Sequence, residues 1–346
     1  IVFDHAQRLG LYLHFKLQET EMDDTRSGGN REKRSVPTAL DGGELGRERK
    51  LYLRELIARF GYALALNWNL GEENTQSAEE QRAMAKYIRD LDPYNLHIVI
   101  HTYPNEQERV YNELTGDKSV LTGVSLQNHW NAVHERTLKW IKASDAAGKQ
   151  WVVANDEQGP ADYGVPPDPG YAGHNGKAGT GDNTYNMHDI RKYTLWGNLM
   201  AGGAGVEYYF GYRLPQNDLG CEDWRSRDQS WEYGRIALEF FQKNKIPLHE
   251  MENANALVGN SRNNNGVYCL AKEGELYLVY TPKGGATKLT LANAGSYSVD
   301  LFNPRKGGDL KPIENQRRDG RLLLEAPDDE KTEDWLFIVR KKNPTP

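Results

Sequence analysis

The sequence predicts an α/β chain of repeated strand–helix units, followed by a smaller part built only of strands. Two patterns support this fold class. Between residues 11 and 244, six short apolar runs are each followed by a segment with apolar residues at helical spacing. After residue 255, short strand-like runs are separated by turn residues at much closer intervals. The length of 346 residues suits one catalytic-sized domain and one small domain.

The first part can be read element by element. Residues 4–9 resemble the last turns of a helix that ends at Gly10. Polar, glycine-rich stretches over 20–46 and 158–185 predict loops. The remaining predicted elements are, in order, a strand at 11–16, a helix ending at Phe60, a strand at 62–68, a helix from Ser77 to Leu91, a strand at 97–103, a helix at 105–115, a strand at 123–127, a helix at 131–147, a strand at 151–154, a helix at 187–201, a strand at 205–210 and a helix at 230–244.

One helix start carries a specific signal. Ser77 followed three residues later by Glu80 forms a capping box, in which each side chain satisfies a free backbone N–H of the other residue. Met84 and Ile88 then recur at helical spacing and predict the buried face.

The order of the elements predicts a parallel sheet, and the strand ends favour a (β/α)8 TIM-type barrel. Alternating strand–helix units form parallel sheets. No G-x-G-x-x-G follows any strand, which disfavours a dinucleotide-binding fold. Polar residues gather after several strands, where such a barrel keeps its active site. Six units are two short of eight, so we expect the first two to be missing from this chain.

Composition changes near residue 255, where the second part begins. We expect a barrel over 1–254, incomplete at its N-terminal side, and an antiparallel β-sandwich over 255–346. Its predicted strands are 267–270, 276–280, 288–291, 296–302, 322–325 and 335–339.

Composition excludes several classes of protein. The formal net charge of −6 argues against nucleic acid as a partner. Two cysteines, Cys221 and Cys269, exclude a disulfide framework, and their placement in different parts makes a bridge between them improbable. No apolar run is long enough to span a membrane. The chain begins at Ile1 without a signal-like segment, so we expect a mature or truncated form. The 19 Tyr and 8 Trp against 8 Phe suggest surfaces that stack on a ligand.

Two predicted strands are followed by carboxylates. Glu72 and Glu73 come after the strand at 62–68, and Glu157 comes after the strand at 151–154. Glycoside hydrolysis needs two facing carboxyl groups, one to protonate the leaving oxygen and one to attack or to activate water. The alternative is that strand-end glutamates only cap helices or hold loops.

These two segments carry a family resemblance. The stretch Trp68–Asn74 (WNLGEEN) resembles the fourth-strand motif of clan A glycoside hydrolases, and Val152–Gly159 (VVANDEQG) resembles their seventh-strand motif. The resemblance implies that Glu73 is the acid/base and Glu157 the nucleophile. Glu72 stands where the clan commonly has Asn, so the acid/base could also be Glu72; we favour Glu73.

Other segments agree with this resemblance. His101–Pro104, Gln127–Trp130 and Val206–Tyr212 are similar to the ends of the fifth, sixth and eighth strands of these enzymes. The C-terminal part resembles the collagen-binding-type β-domain that follows such barrels, a name that does not establish collagen binding.

The resemblance implies a retaining mechanism. The carboxyls of Glu73 and Glu157 would then lie about 5–5.5 Å apart. Negative charge on Glu72 and Glu157 would raise the pKa of Glu73, which must be protonated when it acts as an acid.

Further residues are candidates for binding substrate. Lys16 is either capped by a carboxylate or meets an anionic group of a polysaccharide. The histidines could bind hydroxyl groups or only pack, and each aromatic residue could stack on a sugar or belong to the core. The candidates are His14, Lys16, Gln18, Trp68, Glu72, His101, Tyr103, Gln127, His129, Trp130, Tyr208, Tyr209 and Trp224.

The sequence therefore predicts a retaining glycoside hydrolase of a plant or algal polysaccharide, or of an oligosaccharide derived from one. The alternatives are a non-catalytic carbohydrate-binding protein and a polysaccharide lyase that uses His and Tyr. We expect a secreted, periplasmic or cell-surface location and no cofactor; the oligomeric state stays open. A calcium ion is a minor alternative, with ligands from Asp156, Asp162, Asp168 and Asp182.

Overall fold

The structure is a computed structural model that describes residues 1–18, 40–74, 76–291, 295–314, 316–318 and 320–342. Most of the loop predicted at 20–46 lies outside the described residues. The chain forms two compact units, which are described separately. The first unit contains residues 1–127 and 139–154, and the second contains residues 128–138 and 155–346.

A five-stranded sheet organises the first unit. Its strands lie in chain order, β1-β2-β3-β4-β5, and β1 to β4 pair in parallel. The last residues of β4 and β5 belong to the second unit. The strands are β1 (Leu13–Lys16), β2 (Leu66–Asn69), β3 (His97–Thr102), β4 (Gly123–His129) and β5 (Val152–Gly159).

Helices connect these strands as the sequence predicts. They are α1 (Val2–Arg8), α2 (Arg47–Phe60), α3 (Ala78–Leu91), α4 (Gln107–Tyr111) and α5 (Val133–Ala146). The capping box of α3 is confirmed, because Ser77 accepts from the backbone N–H of Glu80 and Glu80 accepts from that of Ser77. Trp68, Trp140 and Trp151 are buried with aliphatic side chains in the core of this unit. α4 is shorter than the helix predicted at 105–115.

In the second unit, two predicted elements take a different form. The helix at 187–201 consists of α6 (Met187–Asp189), a π-helix (Ile190–Leu195) and α7 (Trp196–Leu199). The prediction of a strand at 205–210 is wrong. In this segment only Val206 forms a parallel bridge, to Asn155. Gly205 has a φ of 115°, and the Tyr209 carbonyl accepts hydrogen bonds from Val165 and Gln158, so this segment is not free to form a regular ladder.

The rest of the unit is helix α8 and antiparallel sheet. α8 spans Asp228–Lys243, and the loop before it holds a short hairpin of β6 (Lys177–Ala178) and β7 (Tyr185–Asn186). One sheet has the order β13-β12-β16-β10-β9-β8 and the other β11-β15-β14. These strands are β8 (Glu252–Asn253), β9 (Tyr268–Lys272), β10 (Leu276–Thr281), β11 (Ala286–Leu289), β12 (Tyr297–Phe302), β13 (Lys311–Ile313), β14 (Gln316–Arg318), β15 (Arg321–Glu325) and β16 (Trp335–Lys341).

Strands β10 and β16 are covered on both faces. Tyr277 and Val279 of β10 pack into the core between the two sheets, whereas Leu278 and Tyr280 pack with Phe240 of α8. Burial on both faces explains why these strands read as continuous apolar runs rather than alternating ones.

A buried ion pair connects the π-helix to Asp334, the residue before β16. Arg191 Nη2 lies 2.6 Å from Asp334 Oδ1, and the Tyr280 hydroxyl donates to Asp334 Oδ2 at 2.6 Å. Burial alone would raise the pKa of Asp334, but Arg191 and Tyr280 stabilise the charged carboxylate and lower this pKa overall. In the part of the chain that the structure describes, no helix is long and apolar enough to cross a membrane.

Candidate active site

The turn after β2 carries Glu72 and Glu73 in a strained backbone. Gly71 has a φ of 146° and Glu73 a φ of 43°, a left-handed conformation that non-glycine residues rarely adopt. The backbone N–H of Glu72 donates to the Gln18 carbonyl at 3.0 Å, and that of Asn74 donates to the His101 carbonyl at 2.8 Å. The neighbouring segments therefore hold the turn in a conformation that costs free energy.

Asn74 anchors this turn from within. Its side chain is fully buried, and its Oδ1 accepts from the Gln76 backbone N–H at 3.0 Å and from Gln81 Nε2 at 3.0 Å. The Gln76 side chain also accepts from Gln18 Nε2 at 3.2 Å. The sequence analysis assigned no role to Asn74, although it belongs to the motif after β2. The residue type could have identified Asn74 from the sequence, since Asn and Asp side chains commonly organise turns.

Glu72 lies between two basic groups. Lys16 Nζ is 2.6 Å from Glu72 Oε2, and His101 Nε2 is 3.3 Å from Glu72 Oε1. Lys16 and Glu72 are partly exposed, whereas His101 is fully buried. Of the two alternatives for Lys16, the structure shows the contact with a carboxylate. The first unit thus brings together three predicted site residues that are far apart in sequence.

Glu73 has a different partner from its neighbour. Gln127, near the end of β4, donates from Nε2 to Glu73 Oε1 at 2.9 Å. Gln127 is 6% exposed, whereas Glu73 is partly exposed. A glutamate held at one oxygen and open to solvent is suited to exchange a proton with a ligand.

His14 lies within β1 and contacts the side chain of Asn69, the last residue of β2. The Gly71 backbone N–H donates to Asn69 Oδ1 at 3.1 Å, so the Asn69 amide group turns its N–H toward His14. Asn69 Nδ2 lies 2.8 Å from His14 Nε2, which therefore accepts this hydrogen bond. The ring proton of His14 is then on Nδ1.

Trp68 is a correction to the predicted substrate contacts. Its side chain is fully buried, and its indole Nε1 donates to Asp92 Oδ2 at 3.2 Å. Phe15 packs edge-on against it, with ring centroids 5.7 Å apart. Trp68 therefore belongs to the core of the first unit: side chains alternate between the two faces of a strand, and the Trp68 ring lies on the face that packs with Leu66 and Leu70. Tyr103, one residue beyond β3, is partly exposed.

In the second unit, Glu157 lies within β5. It is 6% exposed, and the neighbouring Asn155, Asp156 and Gln158 are buried as well. Asn155 accepts from Asn128 Nδ2 at 2.9 Å and donates from its own Nδ2 to the Glu157 carbonyl at 3.3 Å. The strand and two buried amides thus fix the backbone that carries Glu157.

Tyr209 belongs to the surroundings of Glu157. Burial is the main cause that raises the pKa of Tyr209, and the negative charge of Glu157 raises this pKa further. Gln158 Nε2 donates to the Tyr209 carbonyl at 2.9 Å. The ring of Tyr212 packs edge-on against that of Tyr209 at 6.0 Å. The second unit therefore brings Tyr209 and Glu157 close to each other, while contact of Tyr209 with a substrate stays a prediction.

The other aromatic candidates differ in exposure. Trp224 is 62% exposed and offers a free face. Trp130 stacks on Tyr185 at 5.4 Å, and Tyr208 packs against Trp231 at 5.5 Å, so both are partly used in packing. His129 Nδ1 lies 2.7 Å from Asn131 Oδ1. Contact of Trp224, Trp130, Tyr208 and His129 with a sugar stays a prediction.

The loop aspartates have protein partners. Asp162 pairs with Arg213 at 3.1 Å, and Asp168 accepts from the Gln229 backbone N–H at 2.9 Å, near the start of α8. Burial raises the pKa of Asp168. A calcium site in this loop stays a prediction.

Cys221 is exposed and Cys269 buried, and both are free thiols, as predicted.

Comparison with known proteins gives the fold a context. A family model described as "Putative collagen-binding domain of a collagenase" matches residues 253–340. No curated protein matches the sequence. A solved glycoside hydrolase family 5 structure from Bacteroides vulgatus ATCC 8482 is similar, with 16% identity and a TM-score of 0.66 over 98% of this chain and 73% of that chain.

Two further solved structures are similar over nearly the whole chain. One is described as a glycoside hydrolase, with 15% identity and a TM-score of 0.68 over 99% of this chain and 76% of that chain. The other is an α-amylase from Geobacillus thermoleovorans, with 9% identity and a TM-score of 0.52 over 99% of this chain and 74% of that chain. The chain therefore has a parallel half-barrel sheet with helices, followed by antiparallel sheets, an architecture that matches these barrel-fold glycoside hydrolases with their β-rich domain and confirms the predicted fold class.

Proposed function

We propose that this protein is a retaining glycoside hydrolase in which Glu73 is the acid/base and Glu157 the nucleophile. One observation carries the proposal. On a fold similar to that of glycoside hydrolases, Glu73 lies in the turn after β2 and Glu157 lies near the end of β5, each beside a buried amide, Gln127 for Glu73 and Asn155 for Glu157. Parallel strand ends are where such barrels keep their catalytic groups.

The proposed reaction has two steps. In the first step, the Glu157 carboxylate forms a bond to the anomeric carbon while the bond from that carbon to the leaving oxygen breaks. The electron pair stays on the leaving oxygen, which takes the proton of Glu73. In the second step, Glu73 removes a proton from water, and the water oxygen displaces Glu157 from the anomeric carbon.

The proposed substrate is a plant or algal polysaccharide, or an oligosaccharide derived from one. Trp224 is largely exposed, and Trp130 and Tyr208 of the second unit are partly exposed. Flat aromatic faces with polar edges suit sugar rings. A polymeric substrate of this kind would place the protein outside the cytoplasm, as a secreted, periplasmic or cell-surface enzyme.

The test is a panel of neutral, sulfated and uronic polysaccharides assayed for new reducing ends. We expect one class to be cleaved, and Glu157→Gln or Glu73→Gln to lower kcat by at least about 10³-fold. On a dinitrophenyl glycoside, whose leaving group departs without a proton, azide should rescue Glu73→Ala by forming a glycosyl azide, because azide attacks the glycosyl-enzyme without a general base. Glu55→Gln in the first unit and Glu239→Gln in the second are controls on exposed helix surfaces.

The outcomes separate the alternatives. Full activity of Glu157→Gln would contradict the proposal. Binding of a polysaccharide without turnover would indicate a non-catalytic binding protein, and an unsaturated product that absorbs ultraviolet light would indicate a lyase. In a crystal structure, a separation of about 5–5.5 Å between the Glu73 and Glu157 carboxyls supports retention, whereas one beyond about 6.5 Å supports inversion.

A further inference from the structure

A chain of hydrogen bonds runs from the core of the first unit to Glu73. Trp140 Nε1 donates to Gln107 Oε1 at 3.0 Å, Gln107 Nε2 donates to the Gln127 carbonyl at 2.9 Å, and Gln127 Nε2 donates to Glu73 Oε1 at 2.9 Å. Trp140 and Gln107 are fully buried. The three donors come from α5, α4 and β4 and act in series, and only the last of them, Gln127, contacts the Glu73 carboxyl oxygen.

The chemistry of the first donor fixes the orientation of the second. An indole N–H can only donate, so the Gln107 group that faces Trp140 must be the carbonyl oxygen. The amide N–H of Gln107 then faces the Gln127 carbonyl and holds the backbone from which the Gln127 side chain extends. The buried hydrogen bonds from Trp140 to Gln107 and from Gln107 to the Gln127 carbonyl, which we call the buried relay, therefore fix the position of the Gln127 backbone.

Glu73 needs such a support because of its own backbone. It lies in a left-handed turn after β2 rather than within a strand. Gln127 donates to one carboxyl oxygen of this partly exposed side chain.

We propose that Gln127 is a positioning residue that keeps Oε1 of Glu73 as an acceptor, so that Oε2 carries the acid proton. This inference rests on the proposed role of Glu73 as the acid/base. The proton moves from Oε2 to the leaving oxygen while Oε1 keeps the Gln127 hydrogen bond. The sequence analysis placed Gln127 among the substrate-binding residues; the geometry instead assigns it a role through Glu73.

The test compares two substrates that differ only in their need for an acid. They are the phenyl and dinitrophenyl glycosides of the sugar that the polysaccharide panel identifies. Phenoxide leaves well only when it is protonated, whereas dinitrophenoxide leaves without a proton. For Gln127→Leu, which has a similar shape but no donor, we expect kcat/KM to fall about 10- to 100-fold on the phenyl glycoside. On the dinitrophenyl glycoside we expect it to stay within about threefold.

Two buried tryptophans provide a test variant for the buried relay and a matched control. Trp140 and Trp151 are both buried and both pack edge-on against Tyr111, but only Trp140 donates to Gln107. Trp140→Phe should therefore reproduce the leaving-group dependence of Gln127→Leu at a smaller size, of about three- to tenfold. Trp151→Phe should perturb the same core without any leaving-group dependence.

Equal losses on the two glycosides in Gln127→Leu, or the same pattern in Trp151→Phe, would overturn the inference. Full activity of Glu73→Gln on the phenyl glycoside would instead contradict the proposed function. Neutron diffraction of the protein at acid pH gives a readout independent of turnover. We expect deuterium on Oε2 of Glu73; deuterium on Oε1, facing a reversed Gln127 amide, would refute the inference.

Discussion

The two proposed catalytic glutamates are held in different ways. Glu157 lies within a regular strand, where buried Asn155 and the backbone ladder fix it, and it is almost completely buried. Glu73 lies in a left-handed turn after a strand, partly exposed, and a side-chain amide contacts one of its oxygens. This difference matches their proposed roles. A nucleophile needs a fixed direction of attack, whereas an acid/base must give and take a proton at an accessible oxygen.

The largest expected effect concerns the buried frame of Glu157. Asn155→Ala removes the acceptor of the hydrogen bond that the buried Asn128 amide donates and opens a cavity, so we expect a loss of about 2–3 kcal/mol in the free energy of unfolding. Urea denaturation measures this loss.

A double-mutant cycle with Asn128→Ala is the control for that prediction. If the hydrogen bond carries the effect, the two substitutions are non-additive by about 1 kcal/mol. A loss below about 0.5 kcal/mol for Asn155→Ala would show that this amide does not hold the strand end.

The next effect tests the burial around Glu157. Since burial and Glu157 raise the pKa of Tyr209, the folded protein retains this proton at a pH where the unfolded chain has lost it. Its contribution to stability is complete below about pH 10 and falls at higher pH, by up to about 1.4 kcal/mol per pH unit. Tyr209→Phe should therefore lose stability less steeply above pH 10 than the wild-type protein does. Tyr94→Phe, at an exposed tyrosine, is the control; indistinguishable slopes for wild type and Tyr209→Phe would rule out this coupling.

The smallest effect tests the strain at Glu73. In a Gln127→Leu background, where the hydrogen bond to Glu73 is already absent, Glu73→Asn should raise the free energy of unfolding by about 0.5–1 kcal/mol, because Asn tolerates a positive φ better than Glu does. Glu157→Asn in the same background should lower it, since Asn is unfavourable in a strand. A destabilised Glu73→Asn would mean that the turn carries no such strain. Thermal unfolding followed by circular dichroism measures both changes.

Local patterns in the sequence predicted most elements of the fold. The capping box at Ser77 and Glu80 and the strand–helix alternation depend on neighbours within a few residues, and the structure confirms them. The strands β13 and β14 were missed because they are short and polar, without an alternating pattern. The segment at 205–210 resembles a strand locally, but it pairs with β5 only around Asn155, and its Tyr209 carbonyl accepts from the Gln158 side chain and from the Val165 backbone N–H instead of a regular ladder partner.

The candidate site was predictable only as a set of residue types at strand ends. Glu72, Glu73 and Glu157 could be found in this way because polar residues after buried strands are conspicuous. Trp68 was misassigned because the sequence placed it in a strand without deciding which face of the sheet its ring packs on, and the ring lies in the core. Gln107 was missed because a buried glutamine in a helix has no distinguishing pattern in the sequence.

By itself, the sequence determined the alternation of strands and helices, the composition that excludes several partner classes, and the carboxylates that follow two strands. These properties depend on local periodicity and on residue type. Only the tertiary structure decided which group meets which: Lys16 and His101 on Glu72, and Gln127 on Glu73. The partners in these pairs are separated by 29 to 56 positions along the chain (101 − 72 and 72 − 16). Such contacts form when a sheet brings distant strand ends together, and no local pattern specifies them.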